Sequence, residues 1–164
     1  MPTETPAPID PWYREGLAFA CTRCGNCCTG APGTVRIRED EADELARFLG
    51  VDLADFHELC TRLLPDGSTS LIERDDNSCL FWSASAGCTV YAARPRQCRT
   101  WPFWRANLAS PAHWSAAGRG CPGIGRGEHH EAETIARLAA DDGTSGFVPE
   151  LAPEPAADEP DGKA

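Results

Sequence analysis

The amino-acid sequence predicts a small single domain of the α+β class, built from a few helices and short strands with cysteine-bearing loops. Three observations lead to this prediction. Segments with helical periodicity lie between short segments typical of strands. Nine cysteines occur in 164 residues, and four of them fall within the eight residues CTRCGNCC at positions 21–28. The chain length leaves room for one sizeable hydrophobic core, whereas two independent domains would be cramped.

The folded domain is expected to span residues 12–144. Residues 1–11 are rich in proline and threonine, which predicts a disordered N-terminal lead-in. Residues 145–164 hold four prolines and five acidic side chains against one lysine, which predicts a disordered acidic tail. The hydrophobic core is therefore expected to be smaller than the chain length alone would allow.

A strand followed by a helix is predicted after the cysteine-rich segment. The residues TVRIRE at 34–39 alternate apolar and polar side chains, as a half-buried strand does. The residues DEADELARFLG at 40–50 place apolar side chains at helical spacing and crowd acids into the first turn. Gly50 is expected to end this helix, because glycine tolerates the left-handed conformation found there.

A second helix and a second strand are predicted next. The residues LADFHELCTRLL at 53–64 have helical periodicity, with Asp52 as the N-cap and Leu59, Leu63 and Leu64 facing inward. The residues PDGS break this helix. The residues TSLIER at 69–74 are typical of a strand.

The remaining elements follow the same reasoning. The residues CLFWSASAGCTVYAARP at 79–95 predict two short strands around a turn that ends at Gly87. The residues HHEAETIARLAADDG at 129–143 predict a last helix, with Gly143 beyond its end.

The composition disfavours several classes of protein. The formal net charge is −10, which argues against nucleic-acid binding because the phosphate backbone requires a cationic surface. No apolar run approaches the roughly 18–20 residues that span a bilayer. The N-terminus lacks the basic start and apolar run of a secretory signal, so we expect a cytoplasmic protein with reduced thiols. A disulfide-rich exported protein is therefore disfavoured.

The spacing CxxCxxCC indicates a metal site. Cys21, Cys24 and Cys27 are three residues apart, and in a tight turn this spacing directs two thiolates to one point. Gly25 is expected to adopt a positive φ, which lets backbone N–H groups point at sulfur. Adjacent Cys27 and Cys28 fit awkwardly on one tetrahedral ion. This pair is expected to serve two sites, bridge two metals, or supply one ligand and one redox thiol.

Five further cysteines lie beyond this cluster. Cys79 and Cys88 flank the predicted pair of strands, Cys98 follows in RPRQCRTWPFW, and Cys121 lies in the glycine-rich GRGCPGIGRGE. These four and the four of the CxxCxxCC segment make eight, enough for two four-thiolate sites or for one four-cysteine cluster plus a redox-active set. Cys60, inside the second predicted helix, is interpreted as a core thiol. We therefore expect the domain to fold around a metal centre.

The segments CTRCGNCC, CLFW…CTVYAARPRQCRTWPFW and CPGIGRG resemble the YkgJ-type CxxCxxCC cysteine-cluster family, whose members are described as zinc- or iron-chelating proteins. The resemblance runs from about Cys21 to Gly127. It implies metal ligation by eight residues: Cys21, Cys24, Cys27, Cys28, Cys79, Cys88, Cys98 and Cys121. The family's stretch of Tyr, Arg-Pro, Cys-Arg and aromatic-Pro-Phe is matched by Tyr91, Arg94, Pro95, Arg99, Trp101, Pro102 and Phe103.

The resemblance implies iron, as an iron–sulfur cluster, or zinc as the cofactor, and it leaves three roles open. The first is an iron–sulfur protein with a redox role, either an oxidoreductase or an accessory protein with a protein partner. The second is a zinc-stabilised interaction module without catalysis. The third is an iron–sulfur-dependent modification enzyme related to flagellin lysine methylation, although the chain is short and lacks a glycine-rich cofactor fingerprint.

Several residues around the cysteines have expected roles. Arg94 or Arg99 is expected to offset the negative charge of clustered thiolates. Trp101 and Phe103 are expected to pack beside the metal and exclude water. The four histidines are expected to be non-ligands: His57, His113, His129 and His130.

Overall fold

The computed structural model describes residues 10–144, and it confirms a small mixed α+β domain. In this part of the chain the helices are α1 (Glu39–Leu49), α2 (Leu53–Cys60), α3 (Arg96–Thr100), α4 (Pro111–Gly120) and α5 (Ala132–Ala140). Short 3-10 turns lie at Asn26–Cys28 and Tyr91–Ala93. The segments predicted to be disordered, 1–11 and 145–164, lie outside the described residues except for Asp10 and Pro11.

Seven short strands form three antiparallel sheets among residues 10–144. The strands are β1 (Leu17–Phe19), β2 (Arg36–Ile37), β3 (Thr61–Leu63), β4 (Thr69–Leu71), β5 (Trp82–Ser83), β6 (Gly87–Cys88) and β7 (Ile124–His130). Their orders are β2-β4-β3, β5-β6 and β1-β7. Because β1 ends two residues before Cys21 and β7 begins three residues after Cys121, pairing of these two strands brings distant cysteine-bearing segments together.

The first hydrophobic core lies where α1 and α2 pack on the three-stranded sheet. Leu45 and Phe56 are completely buried there, and Leu71 of β4 contributes from the sheet. Partly buried Cys79 and Cys88 pack against the same core. The predicted strand at 34–39 and the predicted helix at 40–50 are present as β2 and α1. Gly50 follows α1 with φ 70°, as expected for a glycine that ends a helix.

The second hydrophobic core is formed mainly by α4, α5 and the β1–β7 pair. Ile135 of α5 is fully buried, and Phe103 stacks on Trp114 of α4 with their ring centroids 5.6 Å apart. Phe19 of β1 packs edge-on against Phe103. These contacts set the position of the chain just before the CxxCxxCC segment.

Buried polar side chains anchor helix α3 to β2 and α1. Gln97 of α3 accepts a hydrogen bond from the Arg36 N–H (2.8 Å) and donates to the Thr34 carbonyl oxygen (2.8 Å), so α3 is tied to β2. Glu41 of α1 accepts from the Arg96 N–H at 2.6 Å. Both anchors fix α3, the helix that carries Cys98.

The prediction of a helix over 53–64 is wrong in its second half. Helix α2 ends at Cys60, and Thr61 turns into extended backbone so that β3 pairs with β4. Leu59 and Leu63, expected inward, are 65% and 77% exposed. Hydrogen bonding across the sheet outweighs the helical periodicity of the leucines, because β-branched Thr61 favours the extended conformation.

The prediction that a helix begins at His129 is also wrong. His129 and His130 end strand β7, where they pair with Ala18 and Leu17 of β1. Helix α5 starts only at Ala132, and Gly143 lies beyond its end with φ 76°. None of the helices within residues 10–144 has the length and apolar character required to cross a bilayer.

Candidate metal centre

The CxxCxxCC segment forms a tight loop around Gly25. Gly25 has φ 80°, as predicted, and a Cβ atom at this position would collide with the Trp82 ring. The Cys28 N–H donates to the Gly25 carbonyl oxygen at 2.9 Å and closes the 3-10 turn. The Arg23 N–H donates to the Cys21 sulfur at 3.4 Å, so one backbone donor already points at a thiol. Only glycine at position 25 permits this path beneath the Trp82 ring.

Five thiols from four parts of the chain lie close enough to influence one another. Their residues are Cys27, Cys28, Cys79, Cys88 and Cys98. The Sγ atoms of Cys27 and Cys28 are 3.8 Å apart. The Cys79 N–H donates to the Cys28 carbonyl oxygen at 2.7 Å, which fastens the loop to the segment leading into β5. Cys88 lies in β6 opposite Trp82, and Cys98 lies in α3.

The other three predicted ligands lie around this group in different environments. Cys21 and Cys24 are exposed in the loop, and Cys21 lines a cavity together with Cys27 and Cys98. Cys121 is buried, and its sulfur accepts a hydrogen bond from the Trp101 indole N–H at 3.4 Å. All nine cysteines are free thiols. Among residues 10–144, no three or more Cys, His, Asp or Glu side chains already form an arrangement that could hold a metal ion.

The environment shifts the pKa values of these thiols in different directions. The Cys28 thiol hydrogen-bonds to the Cys27 sulfur, which lowers the pKa of Cys27 to about 6 and raises the pKa of Cys28. Burial raises the pKa of Cys98 to about 12. Burial likewise raises the pKa of Cys79 and of Cys88. A positive charge within this group is therefore needed before all five can be thiolates together.

Arginines supply part of that positive charge. The guanidinium groups of Arg23 and Arg94 lie over the ring of Tyr91, 3.9 and 3.6 Å from its centroid. Arg94 lowers the pKa of Cys27, Cys88 and Cys98, although other effects outweigh it at the last two. The predicted charge-compensating role is thus fulfilled by Arg94.

A second arginine holds the loop that carries Cys79. Arg74 donates to the carbonyl oxygens of Leu80 (2.7 Å) and Trp82 (2.6 Å), and its charge opposes the burial that raises the pKa of Cys79. Arg23, Arg74 and Trp82 were not assigned a role from the sequence. Their spacing carries no recognisable signal, because each acts through a contact that exists only in the folded chain.

The aromatic residues expected beside the metal divide into two groups. Trp101 lies against Cys121, one of the predicted ligands, and its packing beside a metal stays a prediction. Phe103 is buried in the second core, where it contacts Trp114 and Phe19, the last residue of the strand that leads to the CxxCxxCC segment. Cys60 lies at the end of α2 and packs against the first core, and burial raises the pKa of its thiol. This position fits the interpretation of Cys60 as a core thiol.

The histidines have partners other than cysteine. His57 contacts Glu39 at 3.1 Å, and His113 hydrogen-bonds Ser110 at 2.8 Å. A ring nitrogen of His130 contacts the Phe19 carbonyl oxygen at 3.0 Å. That none of the four histidines is a metal ligand stays a prediction.

A family model described as "CxxCxxCC: Putative zinc- or iron-chelating domain" matches residues 20–122. The chain belongs to this family. Membership in the CxxCxxCC family supports metal binding, with zinc or iron as the metal. The match begins one residue before Cys21 and ends one residue after Cys121, so it contains all eight of the predicted ligands. No solved structure matches the chain significantly.

The donor set of this CxxCxxCC protein fits zinc or iron. Thiolates are soft ligands that suit both metals. The five neighbouring thiols exceed the four ligands that one tetrahedral ion takes, and nearby arginines reduce the repulsion among thiolates. The residues present are therefore chemically suited to a cysteine-ligated centre.

Proposed function

We propose that the protein chelates iron as an iron–sulfur centre with a redox role. The proposed ligands are Cys21, Cys24, Cys27, Cys28, Cys79, Cys88, Cys98 and Cys121. The observation that carries this proposal is the convergence of five thiols from the loop, the β5–β6 segment and α3, with Arg94 among them. Thiolates brought together from distant parts of the sequence repel one another, and a bound cation offsets that repulsion.

The exposure of the CxxCxxCC thiols favours iron over structural zinc. A structural zinc site is closed, with four protein ligands around the ion. Here Cys21, Cys24 and Cys27 are exposed, and Cys21 and Cys27 line an open cavity together with Cys98. A centre that can be approached from this cavity can exchange electrons or ligands with its surroundings. A purely structural site requires no such access.

The residues around the proposed centre would act as ligands, as compensating charges and as hydrogen-bond donors to sulfur. Cys27 and Cys28, linked through their thiols, supply the densest pair of ligands, and Cys79 and Cys88 meet them from the first core. Arg23 and Arg94 offset thiolate charge, while Trp101 donates a hydrogen bond to the Cys121 sulfur. Hydrogen bonds to sulfur and nearby charge tune the reduction potential of a cluster. A bound iron–sulfur cluster supplies one-electron transfer.

Anaerobic purification followed by analysis of one sample tests the proposal. We expect brown protein containing iron and acid-labile sulfide, with visible absorption that bleaches on reduction. Cys28→Ser and Cys79→Ser should each remove most of the iron and the colour. Cys60→Ser is the matched control, because this thiol lies outside the proposed ligand set and should leave both unchanged.

Two outcomes would contradict the iron assignment. Colourless protein with about one or two zinc ions per chain and no sulfide would instead support a zinc-stabilised interaction module. Iron lost equally from the Cys60→Ser and Cys79→Ser variants would show that the assigned ligands are not specific.

A further inference from the structure

We propose that the cavity beside the cysteines binds a small organic molecule through its oxyanion group, a carboxylate or a phosphate ester. The cavity has a volume of about 320 Å³ and is lined on one side by Cys21, Cys27 and Cys98. This volume lies at the lower end of the range for small-molecule sites. The inference rests on the proposed function, because thiols of the proposed centre form one wall of the cavity.

Two arginines line this cavity without carboxylate partners. Arg94 and Arg99 both line it, and neither forms a salt bridge with any acidic side chain of residues 10–144. Five of the fourteen arginines in residues 10–144 form salt bridges with acidic side chains, among them Arg36 with Asp66 (2.8 Å) and Arg96 with Asp141 (2.7 Å). Planar guanidinium groups bind carboxylate and phosphate with two parallel hydrogen bonds. The two arginines that line the cavity therefore define where the oxyanion group would lie.

The two arginines differ in what else they do. Arg94 is fixed over Tyr91, its Nε donates to the Tyr91 carbonyl oxygen at 2.9 Å, and its charge reaches several thiols. Arg99 lies in the last turn of α3 and is exposed. Among residues 10–144 no side-chain hydrogen bond or salt bridge occupies the Arg99 guanidinium, which leaves it available to an oxyanion in the cavity.

The remaining walls favour an organic ligand over a simple anion. Phe19 and Trp101 present aromatic surface to the cavity, and His130 and Glu128 close the side formed by β7. An aromatic wall stabilises the apolar part of a ligand through burial, which an inorganic ion cannot exploit. The Glu128 carboxylate repels an oxyanion, so the anionic group is directed to the arginines.

Calorimetric titration of the purified, metal-loaded protein tests this proposal. The probes are benzoate, phenyl phosphate and benzamide, which share a ring but differ in the group attached to it. We expect benzoate or phenyl phosphate to bind at least tenfold more tightly than neutral benzamide. The tighter of the two identifies whether the site prefers a carboxylate or a phosphate ester.

Variants then locate the binding to the cavity. Arg99→Gln should weaken binding of the better anion about tenfold or more, since hydrogen bonds between charged groups carry this much discrimination. Arg99→Lys should recover only part of the loss, because lysine keeps the charge without the planar fork. Arg137→Gln is the matched control, because Arg137 is also an exposed arginine near a helix end but does not line the cavity.

Metal analysis of the same samples separates this proposal from the proposed function. Full metal content with weakened anion binding in Arg99→Gln supports the cavity proposal. Equal affinity for benzamide and both anions would overturn it, as would equal losses in Arg99→Gln and Arg137→Gln. Failure of the metal centre would appear instead as low metal content in the unaltered protein, whatever the probes do.

Discussion

The stacking of Tyr91 between two arginines leads to a specific prediction about metal affinity. Tyr91→Leu removes the ring beneath Arg23 and Arg94 while keeping an apolar side chain of similar bulk. Arg23 also has φ 57°, an uncommon conformation for a residue with a side chain. The ring is therefore a main contact that holds the middle of the first CxxC sequence in place.

The size of the effect follows from these contacts. Each cation–π contact contributes on the order of 0.5–2 kcal/mol, depending on exposure, so losing two contacts costs roughly 1–4 kcal/mol. Part of this loss will appear as lower global stability. If about 1.4 kcal/mol acts on the loop that presents Cys21 and Cys24, metal affinity falls about tenfold. Tyr91→Phe retains the ring and should bind metal nearly as the unaltered protein does.

Competition against a chromophoric chelator measures the affinity of each variant for zinc, which suits the comparison because it has no redox chemistry. The other tyrosine, Tyr13, packs against the second core, so Tyr13→Leu controls for loss of a tyrosine elsewhere. We expect Tyr13→Leu to lower stability without a comparable loss of affinity. Equal affinity of Tyr91→Leu and the unaltered protein, or an equal loss in Tyr91→Phe, would refute this reasoning.

Three further perturbations have expected outcomes. Gly25→Ala should lower the free energy of unfolding, measured in urea, by more than about 1 kcal/mol and reduce the metal content, because φ 80° and the Trp82 ring both exclude a Cβ. Adding Trp82→Ala to the same chain should restore part of the loss, because it removes the ring. Cys60→Ala should leave the metal content unchanged and lower only stability, as measured by thermal melting. Hydrogen bonds from Ser68 and Arg36 hold the pKa of Asp66 below its ordinary range, so their stabilisation is present above about pH 4 and is lost as pH falls further. Asp66→Asn should therefore have a lower melting temperature than the unaltered protein at neutral pH, and the gap between the two should narrow in acid. A gap that does not change with pH would contradict this.

The sequence predicts best where one local rule decides the structure. The alternation at 34–39, the periodicity at 40–50 and the turn at Gly87 all depend on neighbours within a few residues. Gly25 is a similar case, because the need for a positive φ follows from the tight spacing of the cysteines. The family resemblance, carried by cysteines in fixed order, is confirmed by the match over residues 20–122.

The sequence predicts poorly where pairing between distant segments overrides local preference. Thr61–Leu63 joins β4 despite the helical spacing of its leucines, and His129 and His130 join β1 although a helix follows closely. The paired strands β1 and β7 are more than one hundred residues apart in the chain, and no local sequence pattern predicts that they pair. The same limitation hid Arg23, Arg74 and Trp82, whose roles arise only when the loop, the β5–β6 segment and the 3-10 turn meet.

The distribution of the cysteines over both cores links the proposed centre to the fold itself. Cys79 and Cys88 pack against the first core, whereas Cys121 directly follows α4, which contributes Trp114 to the second core, and its sulfur accepts a hydrogen bond from Trp101. The CxxCxxCC loop connects them, since it follows β1 at one end and hydrogen-bonds Cys79 at the other. A metal held by thiols from both sides adds its binding energy to the association of the two cores. Such a centre would also offset the repulsion among the many thiolates that a domain with two small cores and very short strands would otherwise carry.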